Sequence, residues 1–403
     1  MALSVVLLLP LANAQQIESE WDGVSRIVAI GDVHGDYDNY LQVLREAGLI
    51  NRRGKWSGGS THFVQVGDVP DRGPDTAKIL RHLMGLEKQA QKAGGYVHAL
   101  IGNHEAMNII GDLRYVHPGE YAALKSRRSK ELRANYYQRV VDYLGGLEEP
   151  PVIDEAFREK WMDEHPLGYV EHRQIWHPSG EFGGWVTKHN SVIKINRTLF
   201  VHGGLGPLTL ALSLQEMNEQ IRAELGNPVV TQDLLSESEE GPLWYRGLSR
   251  TETELEAAHV DALLEHFDAD RVVVGHTPGF GTLVPRFSSR VLAIDSGISA
   301  HYGGHLASLL IEEGELFTTQ GGERIAIPES SEGLLNYYRR IAELEPDVKN
   351  LQELIYRLEN PVPAVPLPTN ATDTEVDVEL DVDGANDDAA KADTRAGTEG
   401  EKK

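Results

Sequence analysis

The sequence predicts an α/β fold built on a largely parallel sheet, and three observations point to it. From residue 24 to about 100, short apolar, β-branched runs alternate with amphipathic stretches of helical period, the pattern of βαβ units. Five of the apolar runs along the chain end in a glycine-containing turn that carries Asp, His or Asn. The composition is that of an ordinary globular protein, 40% hydrophobic and 25% charged, and 403 residues suffice to bury a large core.

The elements follow in order. "RIVAI" (26–30) reads as the first strand, and "DYDNYLQVLREAG" (36–48) as the helix after it. "HFVQV" (62–66) is the second strand, and "PDTAKILRHLMGLEKQAQKAG" (74–94) carries the second helix, with Pro74 suited to its first turn. "YVHAL" (96–100) closes the run. Residues 106–185 break the rhythm with helices and aromatic loops, and are expected to form an inserted cap at the mouth of a site. Strands resume with "SVIKI" and "TLFV" (191–201), "RVVV" (271–274), "RVLAI" (290–294), "HLASLLI" (305–311) and "ELFTT" (315–319). Helices are expected near 212–225, 251–266, 331–346 and 349–358. One domain over 24–320, with the cap inside it, is therefore expected, followed by a helical extension over 321–360. The "PVPAVPLP" linker and acidic low-complexity tail, 361–403, have the composition of a disordered segment.

The formal net charge is −24, and the tail from 371 holds only −7 of it. An acidic chain argues against nucleic acid or an anionic membrane surface as partner. There is no cysteine, which excludes disulfides and thiolate metal sites; any metal must sit on His, Asp, Glu, Asn or water. "MALSVVLLLPLANA" (1–14) has the apolar length and the Ala12-Asn13-Ala14 ending of a signal peptide, although Lys and Arg are missing from its start. Export, most simply to a periplasm, is expected from it, with the cytoplasm as the alternative. The stretch is too short to span a bilayer, and no other segment approaches a membrane span.

The polar turns carry the chemistry. "GDVHG" places Asp32 and His34 after the first strand, and "GDVPDRG" places Asp68, Asp71 and Arg72 after the second. "GNHE" places Asn103, His104 and Glu105 after the third; "HGG" and "GHT" place His202 and His276 after two later strands. A lone His or an Asp-x-His turn is commonly a satisfied polar turn. Five ligand-bearing turns at five strand ends are not explained that way, because carboxyl ends of strands in α/β sheets converge on one crevice. Charged and polar side chains there are costly to bury unless something pairs with them, and a metal does so.

"GDVHG", "GDVPDRG" and "GNHE", in that order and some thirty residues apart, resemble the metallo-dependent phosphoesterases of the phosphoprotein phosphatase superfamily. The likeness covers roughly residues 26–320 and is to the bacterial-type branch, the Shewanella-like protein phosphatases. "AIDSGISAHYGGHLASLL" (293–310) is similar to this branch and to bacterial dinucleoside tetraphosphatases, and unlike the eukaryotic Ser/Thr enzymes. The resemblance implies a four-layer αββα sandwich of two mixed sheets with an inserted helical cap. It implies two metal ions, manganese first with iron or zinc as alternatives, sharing Asp68. Asp32 and His34 would complete one site, and Asn103, His202 and His276 the other. His104 would be the general acid, with Asp71 holding its imidazole charged and oriented. Arg72 and, less firmly grounded in its motif, Arg246 in "LWYRG" are the candidates for binding phosphate. Glu105 would hold neighbouring ligands. Arg114, His117 and His301 are further candidates for the mouth, with nothing in the sequence that raises them above ordinary polar residues.

The implied activity is hydrolysis of phosphomonoesters in phosphopeptides or proteins, on Ser, Thr or Tyr. Hydrolysis of dinucleoside polyphosphates uses the same metal core and is the alternative. A catalytically silent metal-binding module is a third reading. It would be expected to lack a ligand or the acid, and Asp32, His34, Asp68, Asn103, His104, His202 and His276 are all present. The sequons at Asn196 and Asn370 are short patterns that recur by chance.

Overall fold

Twelve strands form two six-stranded mixed sheets among the described residues of the computed structural model, which are 17–227, 234–250 and 252–360. The signal-like segment at 1–14, the linker and tail at 361–403 and the sequon at Asn370 lie outside those residues. In chain order the strands are β1 (Glu20–Trp21), β2 (Arg26–Ile30), β3 (His62–Gln65), β4 (Tyr96–Ala99), β5 (Val192–Ile195), β6 (Thr198–Val201), β7 (Arg271–Val274), β8 (Val284–Arg286), β9 (Val291–Ala293), β10 (Ala307–Glu312), β11 (Glu315–Gln320) and β12 (Glu323–Ala326). One sheet runs β1-β5-β6-β7-β9-β8 and the other β12-β11-β10-β2-β3-β4. The expected α/β sandwich is present. β2, β3 and β4 are parallel, as are β6, β7 and β9.

Period-two alternation explains why these strands read as continuous apolar runs. In β2, Ile27 and Ala29 join the core cluster that also holds Val64, Phe200, Val273 and Leu309, from both sheets. Val28 and Ile30 join the cluster that holds the flanking helices. Both faces of β2 are dry, so both sets of alternating positions there are apolar. The helix Tyr37–Glu46 contributes Tyr40, Val43 and Leu44 to the outer cluster, and Thr76–Lys92 contributes Ile79, Leu80, Leu83 and Leu86. On the other sheet, Leu214–Gly226 supplies Met217 and Ile221, and Glu254–His266 supplies Val260 and Leu263.

Three strands escape the sequence reading. β1 is only two residues long, β8 reads "VPR" with a proline at its centre, and β12 alternates between half-buried and exposed. The second helix starts at Thr76 with Asp75 at its N-cap position, so Pro74 precedes the helix rather than occupying its first turn. There it packs against Gly119. Residues 321–360 provide β12 and the helices Ser331–Leu344 and Lys349–Glu359. Tyr337, Tyr338, Ile341, Leu351 and Ile355 of these helices belong to the core between the sheets. Among the described residues no helix is long and apolar enough to cross a membrane.

Phe200 is fully buried in the core between the sheets. Phe200→Ala is expected to destabilise the protein by about 3–5 kcal/mol, read as a lower denaturant midpoint at unchanged slope.

Candidate metal centre

Register brings the turns together. Ile30, Gln65 and the last residue of β4, Ala99, pair across one sheet, and Val201, Val274 and Ala293 across the other. The polar turns of both sheets therefore emerge at one edge, where strand carboxyl ends gather ligands. His202 Nδ1, after β6, lies 3.0 Å from the carbonyl of Val66, after β3.

The turns are strained. His34, Asp68, Asp71, Arg72 and His276 all hold positive φ, between 40° and 72°. Such conformations cost of the order of 1–3 kcal/mol each and persist only where surroundings over-determine them. Here the Val33 and His34 N–H groups donate to the Asp68 carbonyl at 3.1 Å each, and Gly35 N–H donates to Val69 at 2.8 Å. Glu105 binds three backbone N–H groups: Gly102 at 2.8 Å, Asp68 at 3.0 Å and Val69 at 2.8 Å. It thus ties the start of the helix Asn103–Ile110 to the turn after β3. A Cβ on Gly102 would come within 2.5 Å of the Asp68 nitrogen, so only glycine allows this approach.

All six candidate ligands are buried. His34 Nε2 lies 3.8 Å from both Asp32 Oδ2 and Asp68 Oδ2. His202 Nε2 lies 2.8 Å from Asn103 Oδ1, 3.2 Å from Asp68 Oδ1 and 3.1 Å from His276 Nδ1. Two contacts fix the tautomers. His34 Nδ1 is 3.1 Å from the Pro70 carbonyl and His202 Nδ1 is 3.0 Å from that of Val66, so each Nδ1 carries the proton. Each Nε2 then points a lone pair at carboxylate or amide oxygens, an arrangement that repels itself unless a cation sits among them. Groups of ligand atoms within 4.8 Å of one another form around His34, Asp68 and His104, and around Asp68, His202 and His276. Asp68 is common to both.

The electrostatics make the same demand. Burial and the nearby Asp295 and Asp68 carboxylates push Asp32 well above the usual carboxylate range. Burial is also the main reason that Asp295 moves up to about 6. Burial would raise Asp68 too, but positive charge on the surrounding rings of His202, His104 and His34, when they carry it, outweighs burial and holds Asp68 well below the usual range. Burial lowers His34 to about 3 and keeps His276 well below the ordinary value, which leaves both rings as neutral ligands. Three buried carboxylates beside neutral imidazoles are what divalent cations would discharge. The residues present fit a metal pair.

His104 differs from the other rings. Its Nδ1 lies 2.5 Å from Asp71 Oδ2, and its N–H donates to Asp68 Oδ1 at 3.0 Å. Burial opposes a charged ring, but the Asp68 and Asp71 carboxylates outweigh it and raise its pKa. A protonated imidazole is a proton donor and a poor ligand. Arg72 stacks on the Tyr115 ring at 4.0 Å, and its buried Nε has no hydrogen-bond partner. Arg246 Nη1 donates to the His276 carbonyl at 2.9 Å and to Thr277 Oγ1 at 3.1 Å, which anchors it behind the second cluster. Arg114 pairs with Asp112, and His117 caps the helix Pro118–Leu124 by accepting Gly119 N–H. His301 is exposed and stacks edge-on against Tyr302.

Several residues at the site were not singled out from the sequence. Asp295 follows β9 in the same way that the other acids follow their strands, and its Oδ2 is buried without a partner. Its signal is the apolar run before it, without the preceding glycine that marks the turns of Asp32, Asp68, Asn103 and His276. Asn108 Nδ2 donates to Asp71 Oδ1 at 3.0 Å, one helical turn after His104. Three rings border the ligands: Tyr115 at 5.2 Å from His104, Tyr302 at 5.2 Å from His34 and Trp244 at 5.8 Å from His276.

Gly102→Ala is expected to push the Asp68 turn away from the helix Asn103–Ile110 and to lower bound metal, measured by elemental analysis, with helical circular dichroism unchanged.

Comparison with known proteins agrees with this geometry. Residues 25–280 match the calcineurin-like phosphoesterase family. An uncharacterized protein of Schizosaccharomyces pombe is 36% identical over 301 residues, 72% of this chain and 78% of that one. Shewanella-like protein phosphatase 2 of Arabidopsis thaliana is 29% identical over 312 residues, 72% of this chain and 75% of its own. The crystal structure of a cold-active protein-tyrosine phosphatase from a psychrophilic Shewanella species superposes with a TM-score of 0.60 at 31% identity, covering 77% of this chain and 83% of that one. Motifs, fold and match together identify the chain as a member of the calcineurin-like phosphoesterase family, a metal-dependent phosphatase.

Proposed function

We propose that the chain is a phosphoprotein phosphatase that prefers phosphotyrosine and works with a manganese pair. The observation that carries the reading is the pairing of His104 with Asp71 next to Asp68, which His34 approaches on one side and the cluster with His202 and His276 on the other. The preference for an aryl phosphate is supported by three aromatic rings, Tyr115, Tyr302 and Trp244, which border His104, His34 and His276 and place apolar surface near an aromatic leaving group. The tyrosine phosphatase named among the structural relatives points the same way. Manganese suits a site of carboxylate, amide and imidazole donors without thiolate.

When bound, the cations supply Lewis acidity that lowers the pKa of a shared water and neutralises phosphate charge. Asp32 and His34 would hold one cation, Asn103, His202 and His276 the other, and Asp68 both. Arg72, with its free Nε and its guanidinium braced on Tyr115, meets the phosphate oxygens; Arg246 supports it from beside His276. As water adds to phosphorus and the P–O bond to the leaving group breaks, His104 Nε2 gives its proton to the departing ester oxygen. Asp71, at Nδ1, keeps the ring charged and turned toward that oxygen.

Purified protein with manganese is expected to release phosphate fastest from a phosphotyrosine peptide, compared with phosphoserine and phosphothreonine peptides and diadenosine tetraphosphate. Faster turnover of the dinucleotide would contradict the reading. His104→Asn is expected to lower kcat by about 10²–10⁴-fold with metal content retained. Asp71→Asn removes a carboxylate that raises the His104 pKa, so the proton donor is lost at lower pH. The alkaline limb of the kcat–pH profile should therefore move to lower pH.

A further inference from the structure

The turn that carries Asp71 and Arg72 is clamped by a segment remote from it in sequence. After the helix Asn103–Ile110 has delivered Asn103 and His104, the chain runs out and returns through residues 115–120. Arg72 N–H donates to the Tyr115 carbonyl at 3.1 Å, and Asp71 N–H donates to Glu120 Oε1 at 3.2 Å. Asp71 and Arg72 are consecutive residues at φ 72° and 63°, a left-handed pair that needs external partners to persist. The backbone contacts just named meet both of its N–H groups.

Glu120 is only 3% exposed, although it comes from a short helix, Pro118–Leu124, in a segment that is otherwise largely solvated. Its Oε1 also faces the N–H of His117, at 3.4 Å, as part of that helix's own capping box. One carboxyl oxygen therefore joins the start of this helix to the Asp71 backbone. Gly119 presses on Pro74, three residues after Asp71; a Cβ there would lie 2.5 Å from the Pro74 Cβ. The Tyr115 ring meanwhile lies under the Arg72 guanidinium and beside the His104 ring. Burial and the adjacent Asp71 carboxylate push Glu120 up to about 8. A neutral carboxyl can accept these bonds without adding charge next to the dyad.

We propose that Glu120 is a positioning residue for proton donation: through the Asp71 backbone it sets the carboxylate that aims His104, so the inserted segment tunes the acid step. This rests on His104 being the proton donor. No substrate contact is assigned to Glu120. Its side chain acts on the Asp71–Arg72 turn, and Asn108 steadies the same carboxylate from the other side.

Leaving-group dependence separates this role from a general loss of structure. An acid matters for a poor leaving group such as phenol and little for p-nitrophenol, which departs as a stable anion. Full-length, manganese-loaded wild type, His104→Asn, Glu120→Ala, Glu120→Gln and Gly119→Ala would be compared on phenyl phosphate and p-nitrophenyl phosphate. Glu120→Ala is expected to lower kcat for phenyl phosphate about tenfold and that for p-nitrophenyl phosphate less than about twofold, with metal content unchanged. Glu120→Gln keeps an acceptor oxygen and should restore both rates. Gly119→Ala displaces the segment without touching the carboxyl and should give a weaker version of the Glu120→Ala pattern. If His104→Asn shows the selective loss while Glu120→Ala lowers both substrates equally, or neither, the positioning role is overturned. If His104→Asn itself shows no selectivity, the donor assignment fails and the positioning role falls with it.

Discussion

The structure depends on a concentration of negative charge and lone pairs where water is excluded. Asp32, Asp68 and Asp295 are each at most 2% exposed, and the lone pairs of His34 and His202 are aimed at oxygens by carbonyl contacts on the opposite ring nitrogens. Without cations such a set must take up protons, which is the direction in which burial drives Asp32 and Asp295. With cations, the same desolvation strengthens every bond to the metal. The left-handed turns, the glycine contact at Gly102 and the three backbone bonds to Glu105 all serve to hold this arrangement in place.

The fold reaches that arrangement by register rather than by local geometry. β2, β3 and β4 end level with one another, and so do β6, β7 and β9. Two parallel sets, one in each sheet, turn their carboxyl ends to the same edge. The inner faces of both sheets share an apolar core, which gives the edge a rigid base. The inserted segment then adds what a bare sheet edge lacks, which is support for the acid turn from Glu120 and the Tyr115 ring beside His104.

Much of this was legible in the sequence, because strand-tip ligands announce themselves by an apolar run, a glycine and a polar residue in immediate succession. That pattern is local. Asp32, Asp68, Asn103 and His276 stand in it, His34, Asp71 and His104 follow within the same turns, and His202 follows its strand with two glycines after it; the structure brings them together. Asp295 has a glycine neither directly before nor directly after it, so it reads as an ordinary polar position although its strand is legible. Asn108 reads as an ordinary polar position on a helix. Glu120 carries no signal in the sequence, and only the fold reveals both its capping role and its contact with the Asp71 backbone. Pro74 was placed inside a helix because proline suits a first turn. In the fold, Asp75 occupies the N-cap position and leaves Pro74 to pack against Gly119. Such contacts join residues more than forty positions apart, and no periodicity encodes them.

A buried carboxylate that holds two cations at once, as proposed for Asp68, should couple their spins. Electron paramagnetic resonance of the protein titrated with manganese(II) is expected to show two equivalents bound per chain and a spin-coupled dinuclear signal in the wild type, lost in Asp68→Asn. A single equivalent, or two giving only the signal of isolated ions, would mean that Asp68 does not join the two sites.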